Sequence, residues 1–153
     1  LYKDGRLFCV ADDRVIAIDA YNGARQWDLA VPRSRRLGAF KDSGQMVLTS
    51  ETLYVAARNT CSGANVTTGR PDVLLKVPQL HDGETQDWGY LAHAGDALVG
   101  SAQSSDASFY FFTPKGNCDE LENDGRALAI SEYLFSLDRR SGARRWTYDG
   151  GKF

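Results

Sequence analysis

Short runs of apolar residues, separated by polar turns, recur along the whole chain. The runs Leu7–Val10 and Val15–Ile18 are rich in aromatic and β-branched side chains, and the polar residues Asp12–Arg14 lie between them. This arrangement is typical of a β-hairpin. Similar runs at Met46–Leu48 and Gly89–Ala92 precede later units, which gives about four strands in each unit. The pattern therefore predicts an all-β chain.

The apolar runs repeat with a period of about 46 residues. Gly5–Ala11 matches Glu51–Ala57 at a shift of 46 residues, and Asp96–Ala102 follows after a further 45. Four short antiparallel strands that recur every 40 to 50 residues are the signature of a β-propeller blade. The repeat predicts about three four-stranded antiparallel blades: blade one at about 1–32, blade two at about 45–78, and blade three at about 88–153 with an insertion at about 103–129.

A motif of eleven residues marks the later part of each unit. Ala17–Trp27 returns without a gap as Ser136–Trp146, and both read small-x-Asp-x-x-(Asn/Ser)-Gly-Ala-Arg-x-Trp. A degenerate copy, Gly63–Val73, has Asn in place of Asp and Val in place of Trp. Asp accepts hydrogen bonds from backbone N–H groups in a turn, and Gly tolerates a left-handed backbone. The motif positions are Ala17, Asp19, Gly23, Trp27, Asn65, Gly69, Ser136, Asp138, Gly142 and Trp146.

These residues resemble the tryptophan-docking motif of the pyrrolo-quinoline quinone (PQQ)-like β-propeller repeats. That family includes the quinoprotein alcohol dehydrogenases and the propeller lipoprotein of outer-membrane protein assembly. The resemblance implies that Trp27 and Trp146 stack in the seams between blades, over the small residue Ala17 or Ser136 and the glycine turn of an adjacent repeat. A large flat ring supplies much buried area there at little entropic cost.

The resemblance also implies a larger assembly than the chain itself. Family propellers commonly close with six to eight blades, and three blades would leave apolar faces and strand edges open to water. The chain opens at Leu1 without an initiator Met or a leader sequence. We therefore expect an internal segment of a longer protein, whose remaining blades are its first partners.

Catalytic members of the family bind PQQ together with a calcium ion held by Glu, Asn and Asp, and they carry a disulfide between adjacent cysteines. The cysteines here, Cys9, Cys61 and Cys118, include no adjacent pair. The two histidines, His81 and His93, do not stand at metal-ligand spacing with them. The sequence therefore predicts no catalytic, cofactor-binding or metal-binding residue, and PQQ and calcium belong only to an alternative interpretation.

The cysteines also bear on packing and compartment. Cys9 aligns with Val55 and Gly100 on a strand expected to face the core, so we interpret it as a small buried apolar residue. A disulfide between Cys61 and Cys118 would clamp the insertion to the neighbouring blade and would imply an oxidising compartment. The alternative is two unpaired thiols.

The insertion at about 103–129 is the part of the chain least like the repeat. A polar loop containing Asp106 is followed by the aromatic run Phe109–Phe112. Because long loops on rigid scaffolds often carry binding function, Asp106, Phe109 and Tyr110 are candidate binding residues. The alternative is that the aromatic side chains pack over the blade face. Trp88, expected just before the first strand of blade three, is a candidate core or rim residue.

Charge and hydropathy exclude two classes of partner. The chain has 18 Lys and Arg against 20 Asp and Glu, a formal net charge of −2, so no basic field covers its surface as nucleic-acid binding would require. No apolar run approaches the roughly 20 residues of a membrane-spanning helix. We expect neither nucleic acid binding nor a transmembrane segment.

The function that fits these features is a noncatalytic scaffold or interaction module of a bacterial PQQ-like repeat protein in the periplasm or at the cell surface. Its expected partner is another protein or a cell-surface component. One alternative is part of a PQQ- and calcium-dependent quinoprotein dehydrogenase. A second is a propeller of outer-membrane protein assembly.

Overall fold

The computed structural model describes residues 1–34, 44–80, 85–104 and 131–150. Within these ranges the chain consists of twelve β-strands and their connecting turns, with no helix. The strands form three four-stranded antiparallel sheets, each with its strands in sequential order. The expectation of an all-β chain with three four-stranded units is confirmed.

The first sheet shows how the apolar pattern becomes a meander. Its strands are β1 (Tyr2–Lys3), β2 (Arg6–Ala11), β3 (Arg14–Asp19) and β4 (Arg25–Ala30). In β2 and β3 the side chains alternate, so that Phe8, Val15 and Ala17 lie buried on one face of the sheet.

The second and third sheets follow the same plan. The second comprises β5 (Met46–Leu48), β6 (Thr52–Ala57), β7 (Thr60–Asn65) and β8 (Pro71–Lys76). The third comprises β9 (Gln86–Ala94), β10 (Ala97–Ser104), β11 (Tyr133–Asp138) and β12 (Arg144–Asp149). Strand β10 runs to Ser104, two residues into the range expected for the insertion, and residues 105–129 of that range lie outside the described residues.

The sheets pack face to face through two apolar clusters. We call the contact between the first and second sheets the first seam, and the contact between the second and third sheets the second seam. All six residues of β6 are buried because its sheet is covered on both faces. Leu53 and Val55 belong to the cluster of the first seam, whereas Tyr54 and Ala56 belong to that of the second.

The outer face of the first sheet has no covering sheet among the described residues. Leu7 is 39% exposed, and Cys9 beside it on β2 is exposed as well. The expectation that Cys9 is buried is therefore wrong. Its counterpart Val55 is buried because the second sheet has a neighbour on each face, whereas Cys9 points away from the second sheet, the one neighbour that its own sheet has among the described residues.

Trp88 lies within β9 rather than before it, and it is a core residue. Its side chain is 1% exposed, and its ring meets that of Phe135 edge to face at a centroid distance of 4.7 Å. Aromatic pairs prefer this geometry. Trp88 thus anchors the second seam from the side of the third sheet.

Candidate functional site

The motif turn of the first sheet is built around one carboxylate. Asp19 Oδ1 accepts hydrogen bonds from the backbone N–H groups of Tyr21 and Asn22 at 2.8 and 3.3 Å. Gly23 donates to the Asp19 carbonyl oxygen at 2.9 Å and has a φ of 74°. Such a left-handed backbone is strained for residues with a Cβ atom, so the turn requires glycine.

The second and third sheets repeat this turn, and the donors are again the backbone N–H groups two and three residues after the acceptor. Asn65 Oδ1 accepts from the N–H groups of Thr67 and Thr68, both at 3.0 Å. The turn of the second sheet therefore needs only an acceptor oxygen and no charge, which explains why asparagine replaces aspartate there. Gly69 has a φ of 70°, close to the value at Gly23.

In the third sheet the acceptor is again charged. Asp138 Oδ1 accepts from the N–H groups of Ser141 and Arg140 at 2.9 and 3.1 Å, and the Arg145 guanidinium donates to Asp138 Oδ2 at 2.7 Å. The Ser141 N–H and then the Arg145 guanidinium hold the pKa of Asp138 well below its usual range. Gly142 completes the turn with a φ of 71°.

In the first seam, the ring of Trp27 lies on the glycine turn of the second sheet. A Cβ atom at Gly69 would stand 2.6 Å from Trp27 Cδ2, so only glycine admits the ring this closely. The indole Nε1–H donates to the Val66 carbonyl oxygen at 3.1 Å. Trp27 pairs with the small residue Ala17 across β3 and β4, and its ring centroid is 5.7 Å from that of Phe8.

In the second seam, the position of Trp27 is occupied by Val73. Val73 pairs with Gly63 across β7 and β8, as Trp27 pairs with Ala17. Without the indole, the turn of the third sheet is covered by Leu75, whose Cδ2 lies 3.0 Å from where a Cβ atom at Gly142 would stand.

The hydrogen bond of the missing indole is also replaced. The Tyr54 hydroxyl donates to the Arg139 carbonyl oxygen at 3.1 Å. Arg139 follows Asp138 as Val66 follows Asn65, so the two acceptor carbonyls are equivalent. Tyr54 stands at the position of Phe8, which has no hydroxyl. Leu75 and Tyr54 together thus supply the two contacts that a single indole supplies in the first seam.

Open space lies beside these residues, between the second and third sheets. A cleft of about 360 Å³ is bounded by both sheets, a volume within the range of small-molecule sites. We call it the seam cleft. The loss of tryptophan at Val73 is visible in the sequence, but the cleft follows from residues that sequence reasoning did not connect with it. Its lining residues are Glu51, Thr52, Tyr54, Asp72, Val73, Arg139 and Arg140.

At the two ends of the stack, the motif has no partner sheet among the described residues. Trp146 pairs with the buried Ser136 but remains 45% exposed on β12. At the other end, a Cβ atom added at Gly23 would meet nothing within 4 Å. The described part of the chain therefore ends in an uncovered ring at one side and an uncovered turn at the other.

Other predicted site residues lie partly outside the described residues. Cys118, Asp106, Phe109 and Tyr110 are among the undescribed ones, so the disulfide and the binding loop remain predictions. Cys61 is buried in β7.

No group of three or more His, Cys, Asp or Glu side chains in the part of the chain that the structure describes could hold a metal ion. No helix in those same ranges is long and apolar enough to cross a membrane.

Three meandering sheets, stacked face to face through a repeated turn, define a segment of a β-propeller. A family model described as outer membrane protein assembly factor BamB matches residues 1–85. The chain belongs to this family of PQQ-like propeller repeats, as the motif resemblance implied. No curated protein matches the sequence.

Solved propeller structures resemble the chain over most of its length. A europium-containing methanol dehydrogenase is 16% identical, with a TM-score of 0.61 over 97% of this chain and 31% of its own. The quinohemoprotein alcohol dehydrogenase ADHIIG from Pseudomonas putida HK5 is 15% identical, with a TM-score of 0.63 over 96% of this chain and 19% of its own. At these identities the likeness establishes the fold, which is a β-propeller. The chain spans less than one third of the length of either relative.

A structure of BamB from Moraxella catarrhalis aligns more loosely. It is 12% identical, with a TM-score of 0.49 over 99% of this chain and 51% of its own.

Proposed function

We propose that the chain is part of a noncatalytic PQQ-like propeller that serves as a scaffold or interaction module. The hydrogen bonds of the motif side chains support this role. Asp19, Asn65 and Asp138 each accept two backbone hydrogen bonds within their own turns. Their oxygens stabilise the turn within each blade, which is a structural task.

The uncovered ends support further blades as the first partners. Trp146 and Tyr148 are 45% and 64% exposed at one end, and Tyr2 is 60% exposed at the other. Exposed apolar patches of this kind mark interaction sites. We propose that remaining blades of a parent propeller cover both ends, and that the completed ring binds another protein or a cell-surface component. We place the protein in the bacterial periplasm or at the cell surface, in line with its family.

Cofactor loading of the full-length parent protein tests this proposal against a quinoprotein dehydrogenase. PQQ and calcium are added, and bound-quinone absorbance and dye-linked alcohol oxidation are measured beside a known quinoprotein dehydrogenase. We expect neither signal, because the motif acids are engaged in turns. Quinone binding accompanied by alcohol oxidation would overturn the noncatalytic role.

A propeller of outer-membrane protein assembly is a second candidate, favoured by the family match over residues 1–85. Deletion of the parent gene tests it, with the amount of folded outer-membrane protein as the readout. A reduced amount, restored by the wild-type gene, would support this candidate. An unchanged amount would reject it and leave the general scaffold role standing.

A further inference from the structure

We propose that the seam cleft binds a small molecule with a flat aromatic ring and a zwitterionic head, of which an aromatic amino acid is the simplest example. This inference goes beyond the scaffold role, and it does not depend on which blades complete the ring. Its basis is the comparison of equivalent positions in the two seams.

Two of the residues that line the seam cleft, Val73 and Tyr54, stand at the positions of the indole and its aromatic neighbour in the first seam. Strand register makes Tyr54 and Val73 of the second seam equivalent to Phe8 and Trp27 of the first. In the first seam the ring of Trp27 fills the place and is 9% exposed. In the second seam Tyr54 keeps the aromatic wall, but the ring is absent. The cleft therefore lies beside the place that a ring fills in the first seam, and it keeps one aromatic wall, Tyr54.

The turn of the third sheet closes the cleft from the opposite side. Arg139 and Arg140 line this side of the cleft. They stand at the positions that Val66 and Thr67 hold in the first seam. Leu75 already covers Gly142, so a ligand ring has room beside Val73 and Tyr54 rather than on the glycine itself. A ring bound there would bury apolar surface that Val73 alone does not cover.

The rim of the cleft carries charges of both signs. Glu51 directly precedes β6, Asp72 lies in β8, and Arg140 belongs to the turn of the third sheet. None of these three exposed side chains has an ion-pair partner among the described residues. Arg139, in contrast, is held by Asp96 at 3.2 Å. The charges available to a ligand are therefore two carboxylates on one side and one guanidinium on the other.

This charge arrangement selects the head group. An ammonium is attracted to Glu51 and Asp72, and a carboxylate to Arg140. A ligand with a single charge would meet the like charge across the rim, which discriminates against simple anions and cations. A zwitterionic head next to an aromatic ring satisfies both sides.

Titration of the full chain with three probes tests the proposal. L-Tryptophan carries the ring and the head, N-acetyl-L-tryptophanamide carries only the ring, and L-alanine carries only the head. Backbone amide NMR shifts at Val73, Arg139 and Arg140 are the readout. We expect saturable shifts with L-tryptophan, binding of the uncharged amide weaker by about tenfold, and no shifts with L-alanine.

Three substitutions separate the cleft from other surfaces. Val73→Trp places a ring in the cleft and should abolish L-tryptophan binding while raising the melting temperature. Leu74→Trp is the matched control, because Leu74 is the next residue of β8 and is 63% exposed. It should leave binding unchanged. Arg140→Gln should weaken L-tryptophan binding by about tenfold and leave binding of the uncharged amide unchanged.

Clear results would overturn the proposal. One is the absence of saturable shifts at the cleft residues with L-tryptophan. Another is undiminished binding in a folded Val73→Trp variant. If that variant does not fold, equal affinity of wild type and Arg140→Gln for L-tryptophan would reject the proposed head-group recognition.

Discussion

The two seams are built from equivalent strands, yet different side chains hold them together. In the first seam the indole of Trp27 covers Gly69 and donates a hydrogen bond to the Val66 carbonyl oxygen. In the second seam Leu75 covers the turn and Tyr54 donates the hydrogen bond. The difference teaches that the two tasks of the tryptophan, covering the turn and donating the hydrogen bond, can be divided between two side chains.

Replacement of Trp27 should give the largest effect. Trp27→Val would make the first seam similar to the second without the compensating tyrosine. We expect a loss of about 3 kcal/mol in the free energy of unfolding, because a buried ring and its hydrogen bond are both removed. Chemical denaturation of the full chain measures it.

The control for this change is Trp146→Val. Trp146 stands at the equivalent position, but it is 45% exposed and has no neighbouring sheet among the described residues. We expect it to cost about 1 kcal/mol, the value of partial apolar burial. Equal losses at Trp27 and Trp146 would show that the ring stabilises its own sheet and not the seam.

Alanine at Gly69 should have the next largest effect. The new Cβ atom would lie 2.6 Å from the Trp27 ring, and the φ of 70° is unfavourable for alanine. Overpacking and backbone strain together predict a loss of about 2 kcal/mol, measured by thermal unfolding.

Gly23→Ala separates these two causes. Gly23 has a φ of 74° but nothing within 4 Å of an added Cβ atom, so only the backbone strain of about 1 kcal/mol applies. If Gly23→Ala costs as much as Gly69→Ala, the contact of Trp27 with the turn has no energetic weight.

Removal of the Tyr54 hydroxyl tests the replacement hydrogen bond. Tyr54→Phe should cost about 1 kcal/mol, because the Arg139 carbonyl loses its donor while the ring remains. Tyr148→Phe is the control, since Tyr148 is 64% exposed. It should change the free energy of unfolding very little.

A double-mutant cycle sharpens this test. In a Val73→Trp background the new indole can donate to the Arg139 carbonyl, so Tyr54→Phe should cost less there than in the wild type. An unchanged cost would mean that the Tyr54 hydroxyl does not stand in for an indole N–H.

The smallest effect concerns Asp138. Its folded-state pKa is lowered by the Ser141 N–H and the Arg145 guanidinium, so the carboxylate stabilises the fold above its unfolded pKa of about 3.9. That stabilisation is lost as the pH falls from there through the folded-state pKa. Asp138→Asn, which copies Asn65, should therefore flatten the loss of stability below about pH 4. Denaturation midpoints across the acid range give the readout, and identical pH profiles would contradict the assignment.

The repeat made the sheets predictable, because each blade is a local meander. The match of Ala17–Trp27 to Ser136–Trp146 places the turns directly, and the acceptor and glycine of each turn lie only four residues apart. Burial across the stack was harder to predict. Cys9 and Val55 occupy equivalent positions, but whether the face that carries them is covered depends on the neighbours of each sheet.

The pattern of apolar residues within one strand does not predict the seam cleft. The sequence shows that Val73 replaces tryptophan, yet it does not show that Tyr54 and Leu75 reach the turn of the next sheet. Those contacts join residues that are far apart in the sequence, 85 positions from Tyr54 to Arg139. Only the stacked geometry relates such positions.

The distance along the sequence between the contacting residues also affects the order of folding. Trp27 and Val66 are 39 positions apart, whereas Tyr54 and Arg139 are 85 apart. Each doubling of loop length adds about 0.6 kcal/mol to the entropic cost of closure, and distant contacts slow folding. We therefore expect the first two blades to order as a unit, and the third blade to dock later onto a surface that is already formed.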